Sequence, residues 1–132
     1  MVMLLSEELQ LTLLKVQVNF KMVLVTCNDG NTTHTGSTVV GPVTGTIDEG
    51  SNIFVTINGI LVSIEDAIMT IPTHQYITIP PAFHAHSFVC NEFQQSYVTI
   101  EGNKIILLDD AYIIDMTSVT NIGSNTFVNI EV

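Results

Sequence analysis

Apolar and polar residues alternate with period two from about residue 15 onward. Val16, Val18, Phe20, Met22 and Leu24 interleave with Lys15, Gln17, Asn19 and Lys21, the pattern of a strand with one covered face. The stretch before it reads in two ways. Ser6 to Lys15 fits a short helix with Ser6 as N-cap and Glu7 and Glu8 in its first turn, or an extension of the strand, and residues 5–14 stay open between them. From residue 26 the pattern breaks into short β-segments. Asn28-Asp29-Gly30-Asn31, Gly41-Pro42, Asp48-Glu49-Gly50 and Pro80-Pro81 are turn signals. Between them lie β-branched runs such as Ile53–Ile57 and Tyr97–Ile100, followed by Asn58-Gly59 and Glu101-Gly102-Asn103, which read as hairpin tips. The expected class is mainly β, built of small hairpins.

Part of that pattern repeats. Gly50-Ser51-Asn52-Ile53-Phe54-Val55-Thr56-Ile57 recurs as Gly123-Ser124-Asn125-Thr126-Phe127-Val128-Asn129-Ile130, identical at six of eight positions. Val55–Gly59 recurs as Val98–Gly102, each copy followed by apolar residues and an acidic pair, Glu65-Asp66 and Asp109-Asp110. One strand-turn-strand unit therefore spans residues 50–67, a second spans 94–111, and a first strand alone stands at 123–132. Units of this size cannot bury an apolar face singly, so they stack or pack around an axis. Two and a half units favour a quasi-threefold arrangement over a solenoid. The two acidic pairs occupy equivalent repeat positions, which favours solvated turns over an acid/base pair.

Length and charge narrow the function. The 132 residues suffice for one domain. Charged residues make up 12% of the chain, and 3 Lys/Arg against 13 Asp/Glu give a formal net charge of -10. Such a body repels phosphate, so no nucleic acid is expected as a partner, and anionic headgroups are no electrostatic target. Met1–Leu5 is apolar but too short to span a bilayer, and it lacks the basic start and cleavage site of a signal peptide. The expectation is assembly in the cytoplasm without a signal peptide. Two cysteines, Cys27 and Cys90, make no disulfide framework. Cys27 reads as a small apolar residue at a strand end.

The remaining candidate chemistry is metal binding. All four histidines fall between residues 34 and 86, and His84, His86 and Cys90 share one parity in Phe83–Cys90. In an extended segment those three point to one face. Imidazole nitrogen and thiolate suit zinc, with iron as the alternative, and His34 and His74 would join from other hairpins. The candidate ligands, in order, are His34, Cys90, His86, His74 and His84. The competing reading makes several of them loop histidines beside Pro72, Pro80 and Pro81, with Cys90 a buried hydrophobe.

Thr33-His34-Thr35-Gly36, then Gly50-Ser51-Asn52, then Phe54–Gly59 and Asp66, with the hairpin repeated, resemble the PAAR-repeat proteins. The resemblance covers about residues 31–132. The Pro-Ala-Ala-Arg tetrapeptide is absent, with Ile60–Ile64 in its place, and the returning Arg is missing from both hairpins. The resemblance implies a small conical or pyramidal domain of repeated β-hairpins, metal-stapled near the apex by three histidines and a cysteine. It implies a structural tip, not an enzyme, that caps and sharpens the trimeric β-helical spike of a contractile injection system, one tip per trimer, and pierces the target cell membrane. The spike would belong to a phage tail, a type VI secretion system or a related particle, and the tip to a virion tail or extracellular injection particle. On this reading residues 1–26 form an N-terminal strand or extension, expected to contact the spike, and residues 27–132 the repeat domain.

Two other readings stay open. His84-Ala85-His86 is similar to the first motif of cupin enzymes, but five residues separate His86 from Glu92, no glycine precedes His84 at the right distance, and no histidine follows residue 92. A metal-free β interaction module fits the low charge and β-branched runs, with Met1, Met3, Leu4 and Leu5 as contact residues.

Overall fold

The computed structural model describes residues 21–113 and 117–132. The helix-or-strand choice at residues 5–14, the strand expected from residue 15 to residue 20, and Met1, Met3, Leu4 and Leu5 lie outside the described residues. Those described are mainly β, with no helix among them.

Two structures, with two buried hydrophobic clusters, make up the described residues. The first is a six-stranded antiparallel sheet in the order β10(Ala111–Ile113), β11(Thr117–Asn121), β2(Asn31–Thr35), β3(Val43–Ile47), β6(Ile68–Tyr76), β7(Ala82–Val89). It curls into a half-barrel. Its outer strands approach each other: Asn91 and Glu92, just past β7, exchange backbone hydrogen bonds with Ala111, and Phe88 stacks on Tyr112 at 4.5 Å between ring centres.

The second structure is a set of three hairpins. β4(Thr56–Ile57) pairs with β5(Ile60–Leu61), and β8(Thr99–Ile100) with β9(Asn103–Lys104). Both turns need left-handed backbone, at Asn58 and Gly59 (φ 52° and 81°) and at Glu101 and Gly102 (φ 51° and 83°). That conformation suits the twist of two-residue hairpins. The third hairpin has no turn. β12(Asn129–Glu131), the strand read as a half unit, pairs with β1(Met22–Leu24) from the other end of the chain. β1 precedes residue 27, yet Val23 and Val25 belong to the same buried cluster as the repeat residues.

Backbone hydrogen bonds close the three hairpins into a cycle. Thr26 N–H donates to Ile106 O, Ile106 N–H to Ser63 O, and Ser63 N–H to Thr26 O, each at 2.9 Å. A second cycle surrounds it: Asn28 to Leu61, Glu65 to Lys104, Leu108 to Leu24. The bridges Cys27–Val62, Ile64–Ile105 and Leu107–Val25 repeat the relationship. Cys27, Ile64 and Leu107 are thus equivalent, as are Val25, Val62 and Ile105, and together they form the buried centre of the ring.

A buried amide holds each hairpin's entry. The Asn52 side chain donates to Val55 O and Val62 O and accepts from Phe54 N–H and Val55 N–H. Asn125 does the same with Val128, Val25, Phe127 and Val128, and Gln95 with Val98, Ile105, Tyr97 and Val98. Each amide makes four bonds, satisfying two N–H groups and one carbonyl and adding a second donor to the carbonyl of Val55, Val98 or Val128, which already accepts a backbone N–H.

The acidic pairs lie at turns as expected, with Asp66 and Asp109 exposed, but they also bond the scaffold, and Asp110 is buried. Glu65 accepts the Lys104 N–H at 2.7 Å and Asp66 the Ser51 N–H at 3.0 Å. Asp110 is 1% exposed and accepts from Leu107 N–H and Gln94 N–H. Burial first, then the neighbouring Asp109 charge, raises its pKa against those bonds.

Candidate functional site

The strands that leave the hairpin ring carry the histidines away from it. β2 begins beside Gly30 and turns Thr32 and His34 inward; β6 begins beside Ala67 and turns Met69 and Ile71 inward. A strict period of two would then face Thr73 and Gln75 inward and leave His74 outside. The pairing prevents this. Ile71 faces His86 and His74 faces His84, so β6 has one residue more than β7 between those pairs. This bulge includes Pro72, which has no N–H to give the ladder. It reverses the parity, so that His74 and Tyr76 become the buried residues.

Three imidazoles meet as a result. Ring centres are 5.0 Å apart for His34 and His74, 5.1 Å for His34 and His86, and 4.9 Å for His74 and His86. One nitrogen from each lies within 4.8 Å of the other two. His34 is 4% exposed and neither ring nitrogen has a hydrogen-bond partner. His74 Nδ1 lies 2.8 Å from Pro72 O; a carbonyl only accepts, so Nδ1 carries the hydrogen and Nε2 the lone pair. That Nε2 is buried and unpartnered too. A carbonyl that fixes the far nitrogen of a histidine is the usual support for a ligand imidazole. Three buried nitrogens without partners are costly, and a bound ion would take up two of their lone pairs, one from His34 and that of His74 Nε2.

The environment favours the neutral form of His34 and His86. Burial, then His74 and His86, lowers the His34 pKa; burial, then His74 and His84, lowers that of His86. No Asp, Glu, Lys or Arg occurs between Ala67 and Asn91. Neutral nitrogen donors with little charge nearby fit a zinc ion, and iron equally by donor type. His34, His74 and His86 could hold such an ion.

Two expected ligands lie apart. His84 is exposed, its ring 4.6 Å from the Tyr76 ring. Cys90 shares the parity of His86, but four residues along a strand are about 13 Å. It sits among Ile47, Ala67, Met69 and Ile106, where its Sγ donates to Ala111 O at 3.1 Å. Burial, and next Asp110, pushes the thiol up to about 12, so it stays protonated there. Cys90 is a core residue. Cys27 is one as well, at 1% exposure.

The ring's own surface is the second candidate site. An apolar depression of about 540 Å³ opens there, lined by Val55, Thr56 and Ile57, by Val98, Thr99 and Ile100, by Val128 and Ile130, and by Val25, Val62 and Ile105. Each hairpin contributes one wall. Phe54, Tyr97 and Phe127 hold equivalent places, each next to an amide-bonded Val, and all three are more than half exposed. The recurrence of an aromatic residue two places after Asn52, Gln95 and Asn125 was the sequence signal for that rim. Tyr76, which touches the histidines, had no such signal, because its inward position depends on the bulge. No family model, curated protein or solved structure matches the chain.

Proposed function

We propose that this chain is a PAAR-like tip that caps the trimeric central spike of a contractile injection apparatus. The cyclic closure of three hairpins around a three-walled apolar depression carries this reading. A surface of that symmetry offers three equivalent contacts to a trimeric partner, and a single-chain cap has no other simple way to match one. The exposed Phe54, Tyr97 and Phe127 rim gives the contact three aromatic anchors of the kind enriched at binding surfaces. The strands running from the ring to the histidines would narrow into the cone that sharpens the spike.

The histidines give the far end its staple. An ion held by His34, His74 and His86 would tie β2, β6 and β7 together beyond the buried residues Thr32, Met69 and Ile71. Structural zinc supplies on the order of 10 kcal/mol of folding free energy in small peptides. Force delivered through a tip favours such a tie, since pulling the strands apart would require breaking metal bonds first.

Reconstitution tests the proposal. Mixed with the trimeric β-helical spike of its particle, the chain is expected to bind as one copy per trimer in native mass spectrometry. Val98→Glu, which places a charge on one wall, is expected to abolish the complex while the free chain stays folded. A chain that stays free at every ratio, or that binds in the variant as well, would overturn the reading.

A further inference from the structure

We propose that Tyr76 supplies the fourth donor of the histidine centre. The inference rests on reading His34, His74 and His86 as a metal site, and goes beyond it in naming the remaining ligand. Tyr76 Oη lies 2.7 Å from His86 Nε2. One proton lies between that oxygen and that nitrogen, and an ion that takes its place is bound by both, the proton leaving to solvent. The phenol ring is 8% exposed and packs edge-on to His74 at 5.3 Å.

The bulge at Pro72 sets His74 and Tyr76 together on the inner face of β6, so one irregularity positions two donors. Among the described residues no carboxylate joins the cluster. Cys90 is bonded to Ala111 O in the core, and His84 is exposed against the Tyr76 ring. Three imidazoles and one phenolate would close four positions and leave none for water, which is the arrangement of a structural site. Oxygen in place of sulfur also shifts the preference toward harder ions, and iron(III) with it.

Iron(III) is therefore the probe. The wild-type chain loaded with one iron(III) is expected to show a visible phenolate-to-iron charge-transfer absorption. Cys90→Ala is expected to keep it, and Tyr76→Phe to lose it while retaining iron by elemental analysis. Zinc affinity in Tyr76→Phe should fall by at least about tenfold. A second measurement needs no variant: zinc added to the wild type at neutral pH should produce the ultraviolet difference spectrum of one phenolate per chain. An iron-loaded wild type without the band, a band that survives in Tyr76→Phe, or zinc binding with no phenolate signal would overturn the Tyr76 assignment alone. Failure of the wild type to hold either ion would overturn the metal centre itself.

Discussion

Asp29 closes on Gly123 across nearly the whole described chain: its carboxylate accepts the Ser124 N–H at 3.0 Å and occupies the place a Gly123 Cβ would need. Asp66 stands in the same relation to Gly50 and Ser51. In the middle unit the acceptor has moved one residue on, to Asp110, and the glycine position holds Phe93. A Cβ at Gly123 would also crowd Gly30 N at 2.8 Å and one at Gly50 would crowd Ala67 N at 3.0 Å, so backbone adds to the Asp contact. Gly123→Ala and Gly50→Ala are each expected to cost about 3 kcal/mol. Thermal melting should show losses on the order of 10 °C. A Gly123→Ala chain that melts with the wild type would remove the Asp29 contact as the reason for glycine.

The three buried amides predict a second asymmetry. Asn52→Ala leaves the Val62 carbonyl and two N–H groups without partners inside the protein, while the Val55 carbonyl keeps the Val62 N–H, at roughly 2–4 kcal/mol. Asn125→Ala breaks the equivalent bonds in the hairpin that has no covalent turn, so its strands can separate once freed. Hydrogen exchange should show β1 and β12 losing protection in Asn125→Ala, while β4 and β5 stay connected through Asn58 and Gly59 in Asn52→Ala. Equal loss of protection at both hairpins would count against this.

Much of the ring was legible because its rules are local. Val-Thr-Ile before a turn with left-handed residues repeats in sequence wherever it repeats in space. The third hairpin was half-read for a reason of connectivity. Leu24-Val25-Thr26 matches Leu61-Val62-Ser63, and Asp29 matches Asp66, but the pair partner of β12 lies at the opposite end of the chain, where a search for tandem units does not look. The histidine site was less legible. His86 and Cys90 share parity, but parity fixes a face and says nothing of distance along it. His74 and Tyr76 needed a bulge that Pro72 permits but does not dictate.

Cys90 offers a direct test of its placement in the core. With its thiol bonded to Ala111 O and packed in the core, Cys90→Ala is expected to leave metal content per chain unchanged. It should lower stability by about 1–2 kcal/mol through the lost contacts. Elemental analysis and melting of the same sample separate the two effects. Loss of the ion in this variant would return Cys90 to the ligand set.

His34 predicts a change of sign. Its two nitrogens are buried without partners, so in chelator-treated protein His34→Leu removes an unfavourable burial and should raise the melting temperature. With zinc present the order should reverse. The wild type gains stability in proportion to the logarithm of free zinc over its Kd, and the variant lacks a ligand for that gain. Melts with and without zinc give the four values required. A variant that gains as much from zinc as the wild type would exclude His34 from the site.

The same residues set a pH dependence in metal-free protein. Above the ordinary histidine value of about 6.5, folded and unfolded chains both hold neutral imidazole, and stability is flat. Below it the unfolded chain binds protons, whereas His34 and His86, held lower by burial and by neighbouring imidazoles, do not. The unfolded state then binds more protons, so stability falls as pH falls. The decline should begin near pH 6.5 and level off once pH passes the lowered folded values. Zinc should delay it, because protons and the ion compete for the same lone pairs. Melting from pH 8 to pH 5 in chelator, compared with the His34→Leu, His86→Leu double variant, isolates this contribution. The variant's curve should be flatter between pH 6.5 and 5. An identical slope in both proteins would place the acid sensitivity elsewhere, with the buried Asp110 excluded by sign, since a carboxyl whose pKa is raised by folding gains stability as it protonates.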